Sequence, residues 1–258
     1  MTTVGQMLKH WREQRHLSQL TLSIDVGVSA RHLSFVETGR SKPSRDMVLR
    51  LAEHLDVPLR DRNQLLLAGG FSPVFQESGL DTPRMSSVRS AIRQLLTAHE
   101  PFPAVVIDRH WNMVDANAGL TLMTSLVAPH LLEPPVNVLR ASLHPEGLAP
   151  HIVNLGEWRS HLLTRLRRQA TLTGDPFQNE LLEELRGYSN EHSETEVELP
   201  GAADVVTPLR LRTPAGTFSF FGTIATFGTP ADITVAELAI ESFFPADPQT
   251  SEFLRAMS

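Results

Sequence analysis

The chain has 258 residues, of which 41% are hydrophobic, and this length is sufficient for two domains with separate cores. It contains no cysteine, which excludes disulfide bonds, thiolate zinc sites, thiol nucleophiles and thiol-based redox sensing. Its 23 basic and 29 acidic side chains give a formal net charge of -6, which for the chain as a whole argues against a polyanionic partner.

The charge is unevenly distributed along the chain. Residues 1–70 carry 10 basic and 7 acidic side chains, a net charge of +3, whereas the remaining residues carry 13 and 22, a net charge of -9. Only the first part is therefore suited to a polyanion. The sequence has no apolar run of about 18 residues and no signal peptide at its N-terminus, so we expect a cytoplasmic protein without a membrane partner.

Two short helix patterns meet at a glycine between residues 18 and 37. Ser18 and Ser29 are good N-caps, because a serine hydroxyl accepts a hydrogen bond from a free N–H group at the start of a helix. Gly27 ends the first helix, since a left-handed backbone costs glycine little. The inward apolar positions are Leu22, Val26, Leu33 and Val36. With the small Ser23, which lets the helices cross closely, the pattern predicts a helix-turn-helix.

The outward side of the second helix carries the residues that we expect to read the bases of double-stranded DNA. Arg31 is the strongest candidate, because a guanidinium can bind guanine O6 and N7 bidentately in the major groove. The predicted base-reading residues are Ser29, Ala30, Arg31 and Ser34.

Polar residues around the helix-turn-helix are suited to contact the DNA backbone. Gln19 lies in the first turn of the earlier helix, where free N–H groups attract an anion. The predicted phosphate-contacting residues are Gln19, His32, Arg40, Lys42 and Ser44. Because the small basic surplus supports few phosphate contacts, we expect a homodimer on two adjacent half-sites.

Residues 4–71 resemble the phage-repressor-like helix-turn-helix family of the XRE or Cro type, which is a five-helix domain. The three further helix patterns lie at residues 4–11, after Ser44, and at residues 59–68. The resemblance implies a structural ion pair between Arg12 in the first helix and Glu37 at the end of the recognition helix. The alternative is an ordinary helical bundle with solvated charges.

Residues 71–86 are rich in turn-forming residues and have no helical period, which predicts a linker. We therefore expect a DNA-binding domain at residues 1–70 and a second domain at residues 87–258. Some linker side chains are unsuited to a free tether, so part of the linker should pack against a domain or a partner. These side chains are Phe71, Val74 and Phe75.

Beyond the linker, short strand patterns surround a helical region. A helix is predicted to end before Glu100. The predicted strands begin at Ala104 and Trp111, span residues 208–213 and 217–227, and include Leu238, Ile240, Ser242 and Phe244 on one face. An entirely helical insert, with helices at residues 155–173 and 177–188, separates the first two strands from the last three. The sequence thus predicts a five-strand antiparallel sheet with a helical insert, in the order of a PAS-type sensor domain.

Several segments of the second half carry a family resemblance. They are Asp108-Arg-His-Trp, Leu143-His-Pro-Glu-Gly-Leu, Asn154-Leu-Gly-Glu-Trp-Arg, Gly174-Asp-Pro, Phe220-Phe-Gly-Thr and Glu241-Ser-Phe-Phe-Pro-Ala-Asp. Through them the chain resembles the MmyB-like transcription regulators over nearly its full length. The resemblance implies an α + (α+β) architecture, in which a repressor-type domain precedes a PAS-like domain that takes a fatty acid or similar lipid, and it implies no further cofactor.

Apolar residues of the second half are suited to line a ligand slot between sheet and helices. The candidates are Leu139, Leu143, Leu162, Leu166, Phe218, Phe220 and Ile224. For each of them the alternative is a place in the ordinary core.

A carboxylate head group would need a cation or several donors where the slot meets water. Arg140 and His144 lie four positions apart in one predicted helix, and Trp158, His161 and Arg165 form a stripe on the long helix. Either set could hold an anion. The alternative for each is a solvated charge or an amphipathic side chain whose polar end reaches water.

Other chemistries find little support in the sequence. The spacing of His144, His151 and His161 matches no zinc pattern, so no metal site is predicted. The nucleophile elbow, the phosphate-binding loop, the dinucleotide fingerprint and the metalloprotease motif are absent, so we do not expect an enzyme. Three function classes remain: a regulator controlled by a ligand, a DNA-binding protein whose second half serves only dimerisation or protein contacts, and, distantly, a fused enzyme.

Overall fold

Helices are the main secondary structure of the described residues, and a sheet forms in the second half of the chain. The computed structural model describes residues 2–188 and 207–257. The helices are α1 (Val4–Gln14), α2 (Gln19–Val26), α3 (Ala30–Glu37), α4 (Arg45–His54), α5 (Leu59–Ala68), α6 (Ser86–His99), α7 (Thr121–Thr124), α8 (Val138–Leu143), α9 (Leu155–Thr173), α10 (Pro176–Gly187), α11 (Ile233–Ala236) and α12 (Pro248–Met257). The strands are β1 (Ala104–Ile107), β2 (Met113–Ala116), β3 (Leu209–Thr213), β4 (Gly216–Thr226) and β5 (Ala239–Pro245). None of the described helices is long and apolar enough to cross a membrane.

The chain divides into two units. The first unit comprises Met1–Thr82 together with Gly228–Ala236, and the second unit comprises Pro83–Phe227 together with Glu237–Ser258. The helical insert predicted between the two groups of strands includes residues 189–206, which lie outside the described residues.

The first unit contains the five helices predicted for it, α1 to α5. Ser18, Ser29 and Ser44 cap α2, α3 and α4, and each hydroxyl accepts a hydrogen bond from the N–H three residues ahead, at 3.0 to 3.2 Å. Gly27 ends α2 with a φ of 70°, in the left-handed region. Large side chains buried in the core of this unit include Leu8, Trp11, Leu22, Leu33, Leu51, Leu55, Leu65 and Leu66. The predicted five-helix fold is confirmed.

The second unit is built on a five-strand sheet in the order β2-β1-β5-β4-β3. Every pair of neighbours in it is antiparallel. The predicted PAS-like order of strands and helices is therefore confirmed. The second strand begins at Met113 and not at Trp111, because Trp111 still belongs to the turn: its φ is 66° and its N–H donates to the Asp108 carbonyl at 3.1 Å.

The main core of the second unit lies between the sheet and the helices α8, α9 and α10. Its largest members are Trp111, Trp158, Leu162, Leu166, Phe218, Phe220 and Phe243. The opposite face of the sheet is covered as well, since α6 packs against β1. The cross-strand partners Val106 and Ile240 are accordingly buried on that face.

Candidate functional site

Helix α3 presents its outward side chains beside the basic loop that follows it. Arg31 is exposed, and its guanidinium carbon lies 5.4 Å from the centre of the Phe35 ring. The guanidinium carbon of Arg40 lies 5.9 Å from the centre of the same ring. The other base-reading candidates are Ser29, which is exposed, and Ala30 and Ser34, which are half-buried. Phe35 thus holds two cationic groups together by cation–π contacts.

The predicted phosphate-contacting residues lie on this part of the unit but differ in their surroundings. Arg40, Lys42 and Ser44 are exposed, and His32 is half-buried. Gln19 is also half-buried, and its amide nitrogen donates to Oε2 of Glu37 at 2.7 Å. Since an amide has two N–H donors, one of them stays available for a phosphate.

A buried ion pair joins the end of α3 to α1. Arg12 and Glu37, which the sequence resemblance pairs, are 7% and 4% exposed. Nε and Nη2 of Arg12 donate to the two carboxylate oxygens of Glu37 at 2.7 and 2.9 Å, and Nη1 donates to the Leu17 carbonyl at 2.7 Å. The hydrogen bond with Glu37 raises the pKa of Arg12 against the opposing effect of burial. The pair therefore fixes the recognition helix to the rest of the unit.

A cavity lies inside the second unit, between the sheet and the helices. Its volume is about 70 Å³. Apolar side chains form most of its wall, among them Val105, Met123, Leu139, Trp158, Leu162 and Phe243. Because one water needs about 10–15 Å³ by this measure, the cavity has room for roughly five waters or one short-chain molecule.

One charged residue lines this cavity among the described residues, and it is Glu241. Oε1 of Glu241 accepts a hydrogen bond from Nη1 of Arg165 on α9. The guanidinium carbon of Arg165 also lies 4.2 Å from the centre of the Trp111 ring. Arg165 is thus held by both an ion pair and a cation–π contact.

Ser142 and Trp158 of the wall are bonded to each other, and His161, which is not among the described wall residues, contacts Trp158. The indole N–H of Trp158 donates to the Ser142 hydroxyl at 3.0 Å. The His161 ring stacks on Trp158 with the ring centres 5.6 Å apart. Burial lowers the pKa of His161, the charge of Arg165 lowers it further, and Glu241 opposes the shift. His161 is therefore neutral near pH 7.

The other predicted head-group residues belong to a separate network. Nε and Nη2 of Arg140 donate to Glu184 at 2.8 and 2.7 Å, and the Tyr188 hydroxyl donates to Glu184 at 2.5 Å. The bond from Arg140 lowers the pKa of Glu184, while burial raises the pKa of Tyr188 to about 12. His144 contacts the Tyr188 ring edge-on, with the ring centres 5.0 Å apart. Arg140 and His144 are not among the described residues that line the cavity.

The predicted apolar lining is divided between the cavity and the packed core. Leu139 and Leu162 line the cavity, and so does Trp158, which was predicted as a head-group residue. Phe218 and Phe220 lie opposite Leu211 and Leu209 in the sheet and are fully buried, but the cavity wall does not include them. Ile224 is 51% exposed, so its assignment to the slot is wrong. It lies in the last part of β4, where residues 222–226 are all exposed.

Sequence reasoning missed Glu241. The pattern placed Leu238, Ile240, Ser242 and Phe244 on one face, which puts Glu241 on the other face, and no ligand role was predicted for it. In the structure Glu241 and Phe243 line the cavity instead. The alternation could not decide between the two faces, because both faces of β5 are covered. A lone acidic residue within an apolar strand was the available signal.

Three side chains of the second unit lie close enough together for their ligand atoms to bind one cation. His130, His144 and Glu146 each offer one ligand atom, and these atoms lie within 4.8 Å of one another. However, Nδ1 of His144 already accepts the Glu146 N–H at 3.1 Å, which places the ring hydrogen on Nε2 and so opposes metal binding there. His151 and His161, which the sequence raised with His144, are not in this group. The absence of a metal site stays a prediction.

Comparison with known families matches both units of the chain. The profile of the MmyB-like transcription regulator ligand binding domain matches residues 88–257. The chain belongs to the MmyB-like transcription regulators. A helix-turn-helix domain profile matches residues 3–65, so this family member is a DNA-binding transcriptional regulator with a ligand-binding domain.

Solved structures provide only distant likenesses. The crystal structure of the Rhodobacter sphaeroides LOV protein is 11% identical, with a TM-score of 0.30, over 64% of this chain and 71% of that chain. An RNA-binding light-oxygen-voltage receptor is 14% identical, with a TM-score of 0.26, over 97% of this chain and 64% of that chain. Scores this low support no functional argument. No curated protein shows a significant match to the chain.

Proposed function

We propose that this MmyB-like regulator binds operator DNA as a homodimer through α3, and that a small apolar ligand in the cavity changes its affinity for the operator. The family resemblance suggests a fatty acid or a related lipid as the ligand. No catalytic step is part of the proposal. The observation that carries it concerns β5. This strand lines the cavity, and the segment that precedes it in the chain belongs to the first unit.

The segment before β5 is anchored within the first unit by Asp232. This residue is buried, and its carboxylate accepts hydrogen bonds from the hydroxyl and the N–H of Ser78 at 2.7 and 3.3 Å. The next residue, Ile233, donates its N–H to the Gln76 carbonyl at 2.8 Å. Residues 76–78 and 232–233 therefore form a small, specifically bonded clasp.

The same stretch of linker is bonded to α5. Asn63 of α5 donates to the Phe75 carbonyl at 2.7 Å and accepts the N–H groups of Val74 and Phe75 at 3.0 and 3.1 Å. Arg60 of α5 forms an ion pair with Glu77. Hydrogen bonds thus run from α5 through the linker to the segment that precedes β5.

This arrangement supports control of DNA binding by a ligand. A molecule bound in the cavity contacts its wall, and two residues of that wall, Glu241 and Phe243, belong to β5. A ligand that binds one arrangement of β5 more tightly than another shifts the population of the protein toward it. Because α11 connects the clasp to β5 along the chain, such a shift reaches the first unit through the covalent chain.

The DNA side of the proposal rests on the helix-turn-helix unit. Arg31 and Arg40 flank Phe35 on the outward side of α3, where a guanidinium can reach base edges or phosphates. A dimer would place two such helices in successive major grooves, about 34–36 Å apart. The modest positive charge of residues 1–70 is consistent with the need for two copies.

The test begins with the full-length protein and a random DNA library, from which bound sequences are selected to define the operator. Solvent extraction of the purified protein followed by mass spectrometry then identifies any retained lipid. Expected results are a palindromic operator and an operator affinity that changes when the extracted lipid is restored. A protein that retains no lipid and shows no thermal shift with any apolar compound would favour the alternative, in which the second unit serves only protein contacts.

A further inference from the structure

Helix α6 differs in charge from the acidic part of the chain to which it belongs. The residues beyond position 70 have a net charge of -9, yet residues 82–99, which include all of α6, contain three arginines and no acidic side chain. The arginines are Arg84, Arg89 and Arg93. A surface helix commonly carries charges of both signs, so a helix with positive charge alone is suited to an anionic partner.

The polar side of α6 faces outward. Ile92 and Leu96 on the other side are buried, and the helix packs against β1. A groove with a volume of about 550 Å³ follows the outer side, and all but one of its described lining residues are polar. We call this surface the α6 groove. Its polar residues, each of which can donate a hydrogen bond, are Ser86, Arg89, Ser90, Arg93, Gln94 and Thr97.

Arg93 is the best-placed cation of the α6 groove. It is exposed, and no carboxylate of the described residues is paired with it. Ser90 and Thr97 lie three and four positions away from it, on the same side of the helix. A guanidinium binds a phosphate bidentately, and hydroxyl groups are common further donors to phosphate oxygens. This stretch of α6 therefore offers the donors that a phosphate group requires.

The length of the α6 groove favours a polyanion over a single anion. Its polar lining extends from Ser86 to Thr97, which corresponds to about 17 Å of helix. One DNA strand carries a phosphate for about every 3.4 Å of its axis, so the groove can face about five consecutive phosphates. A free phosphate ion would contact only one turn of the helix.

Charge and chain position favour DNA as the polyanion. A second copy of α6 is a poor occupant, because the arginines of two such helices would repel each other. DNA is the polyanion that the helix-turn-helix unit binds, and α6 follows that unit in the chain. Eight positions separate Ser78 of the clasp from Ser86, and an extended chain of that length spans at most about 28 Å. DNA held by the first unit is therefore at a high effective concentration for α6.

We propose that the α6 groove binds the phosphate backbone of duplex DNA, as a second contact outside the helix-turn-helix unit. This contact reads no bases. It adds affinity and lengthens the stretch of DNA that the protein covers. The inference depends on DNA binding by the regulator but on neither a cavity ligand nor a dimer, so it goes beyond the proposed function.

The salt dependence of DNA binding tests the proposal. Fluorescence anisotropy measures binding of the full-length protein to a random-sequence duplex of about 40 base pairs, at salt concentrations from about 50 to 200 mM. Arg93→Gln should reduce the slope of log affinity against log salt by about 0.9, so the loss of affinity over this range becomes about threefold smaller. The matched control is Arg212→Gln, which removes the same charge from an exposed arginine of β3 and should leave the slope unchanged.

The outcomes separate DNA from other partners of α6. An unchanged slope in Arg93→Gln, or an equal reduction in Arg212→Gln, would overturn the proposal. Polyglutamate is titrated in parallel as a model of an acidic protein. If Arg93→Gln weakened polyglutamate binding and left the DNA slope unchanged, the groove would be assigned to an acidic protein instead. If the unmodified protein bound neither this duplex nor a selected operator, the proposed function would be contradicted as well.

A cross-link tests whether the contact is direct. Because the chain has no cysteine, Ser90→Cys can be labelled at a single site with a photoreactive maleimide. On illumination the label at position 90 should cross-link to the duplex, whereas the same label on Arg212→Cys should not. DNA binding by the labelled protein without an adduct from position 90 would overturn the proposal.

Discussion

The Ser78 hydroxyl donates a 2.7 Å hydrogen bond to Asp232 across 154 positions of the chain. Asp232 also accepts the N–H of Thr234 at 3.0 Å, so one buried carboxylate is bonded to both segments of the clasp. The segment that contains Asp232 leads directly into β5 and the cavity wall. Any control of the first unit through β5 should therefore depend on this bond.

Loss of the clasp should uncouple the ligand from DNA binding. Ser78→Ala removes the hydroxyl donor and leaves part of a buried carboxylate unbonded, which costs about 1–3 kcal/mol locally. We expect the variant to bind both ligand and operator while the change of operator affinity on ligand addition becomes smaller. Fluorescence anisotropy with and without ligand measures this change. The exposed Ser72→Ala is the matched control and should keep the full response.

Arg31 and Lys42 should contribute to DNA binding in different ways. Arg31→Ala should weaken specific binding by about 1–3 kcal/mol and relax sequence preference, because it removes a base contact. Lys42→Ala should weaken specific and nonspecific binding about equally and reduce the slope of affinity against salt by about 1. Titrations on operator and random DNA over a range of salt concentrations measure both quantities. If both variants lost the same affinity for operator and random DNA and showed the same change of salt slope, the assigned roles would be wrong.

The buried pair of Arg12 and Glu37 should be important for the stability of the first unit. Arg12→Ala leaves Glu37 buried without its partner, and the expected loss is about 3–5 kcal/mol of unfolding free energy. Lys9→Ala is the control, because Lys9 and Glu13 form an exposed pair at 3.8 Å that should contribute no more than about 1 kcal/mol. Urea unfolding, monitored by circular dichroism, measures the loss of unfolding free energy in both variants. Similar losses in both variants would contradict the structural role of Arg12.

Asp175 should make the second unit sensitive to acid. Burial raises its pKa, but the hydrogen bond from His110 at 3.0 Å and the charge of Arg109 outweigh burial, so the pKa is lowered overall. The ionised carboxylate therefore stabilises the folded state above its unfolded pKa of about 3.9, and this contribution is lost as the pH falls through the lowered folded value.

The corresponding variant is Asp175→Asn, which keeps the shape of the side chain without its charge. The difference in unfolding free energy from the unmodified protein should be constant above about pH 5 and shrink toward about pH 2. The exposed Asp115→Asn should change stability by less than about 0.5 kcal/mol at each pH. A difference for Asp175→Asn that does not vary with pH would show that the carboxylate charge does not stabilise the fold.

Local chemistry made the first unit predictable from sequence. Ser18, Ser29 and Ser44 each begin a helix because a hydroxyl cap acts on the nearest backbone N–H groups. Gly27 ends a helix for a similarly local reason. The five-helix fold follows from these signals together with the apolar spacing between them.

The cavity could not be read from the sequence in the same way. Its wall depends on which face of β5 meets the helices, and an alternating pattern does not decide this when both faces are buried. Glu241 therefore went unrecognised, and Ile224 was assigned to the slot. The Ser78–Asp232 bond joins residues too distant in the chain for any local pattern to connect them.

The most direct test of the central claim is the operator affinity of the full-length protein measured with and without a cavity ligand, in parallel on the unmodified protein and on Ser78→Ala. Ligand control through β5 predicts a clear change of operator affinity in the unmodified protein and a smaller one in the variant, with ligand binding retained in both. Equal operator affinity with and without bound ligand in the unmodified protein would contradict it.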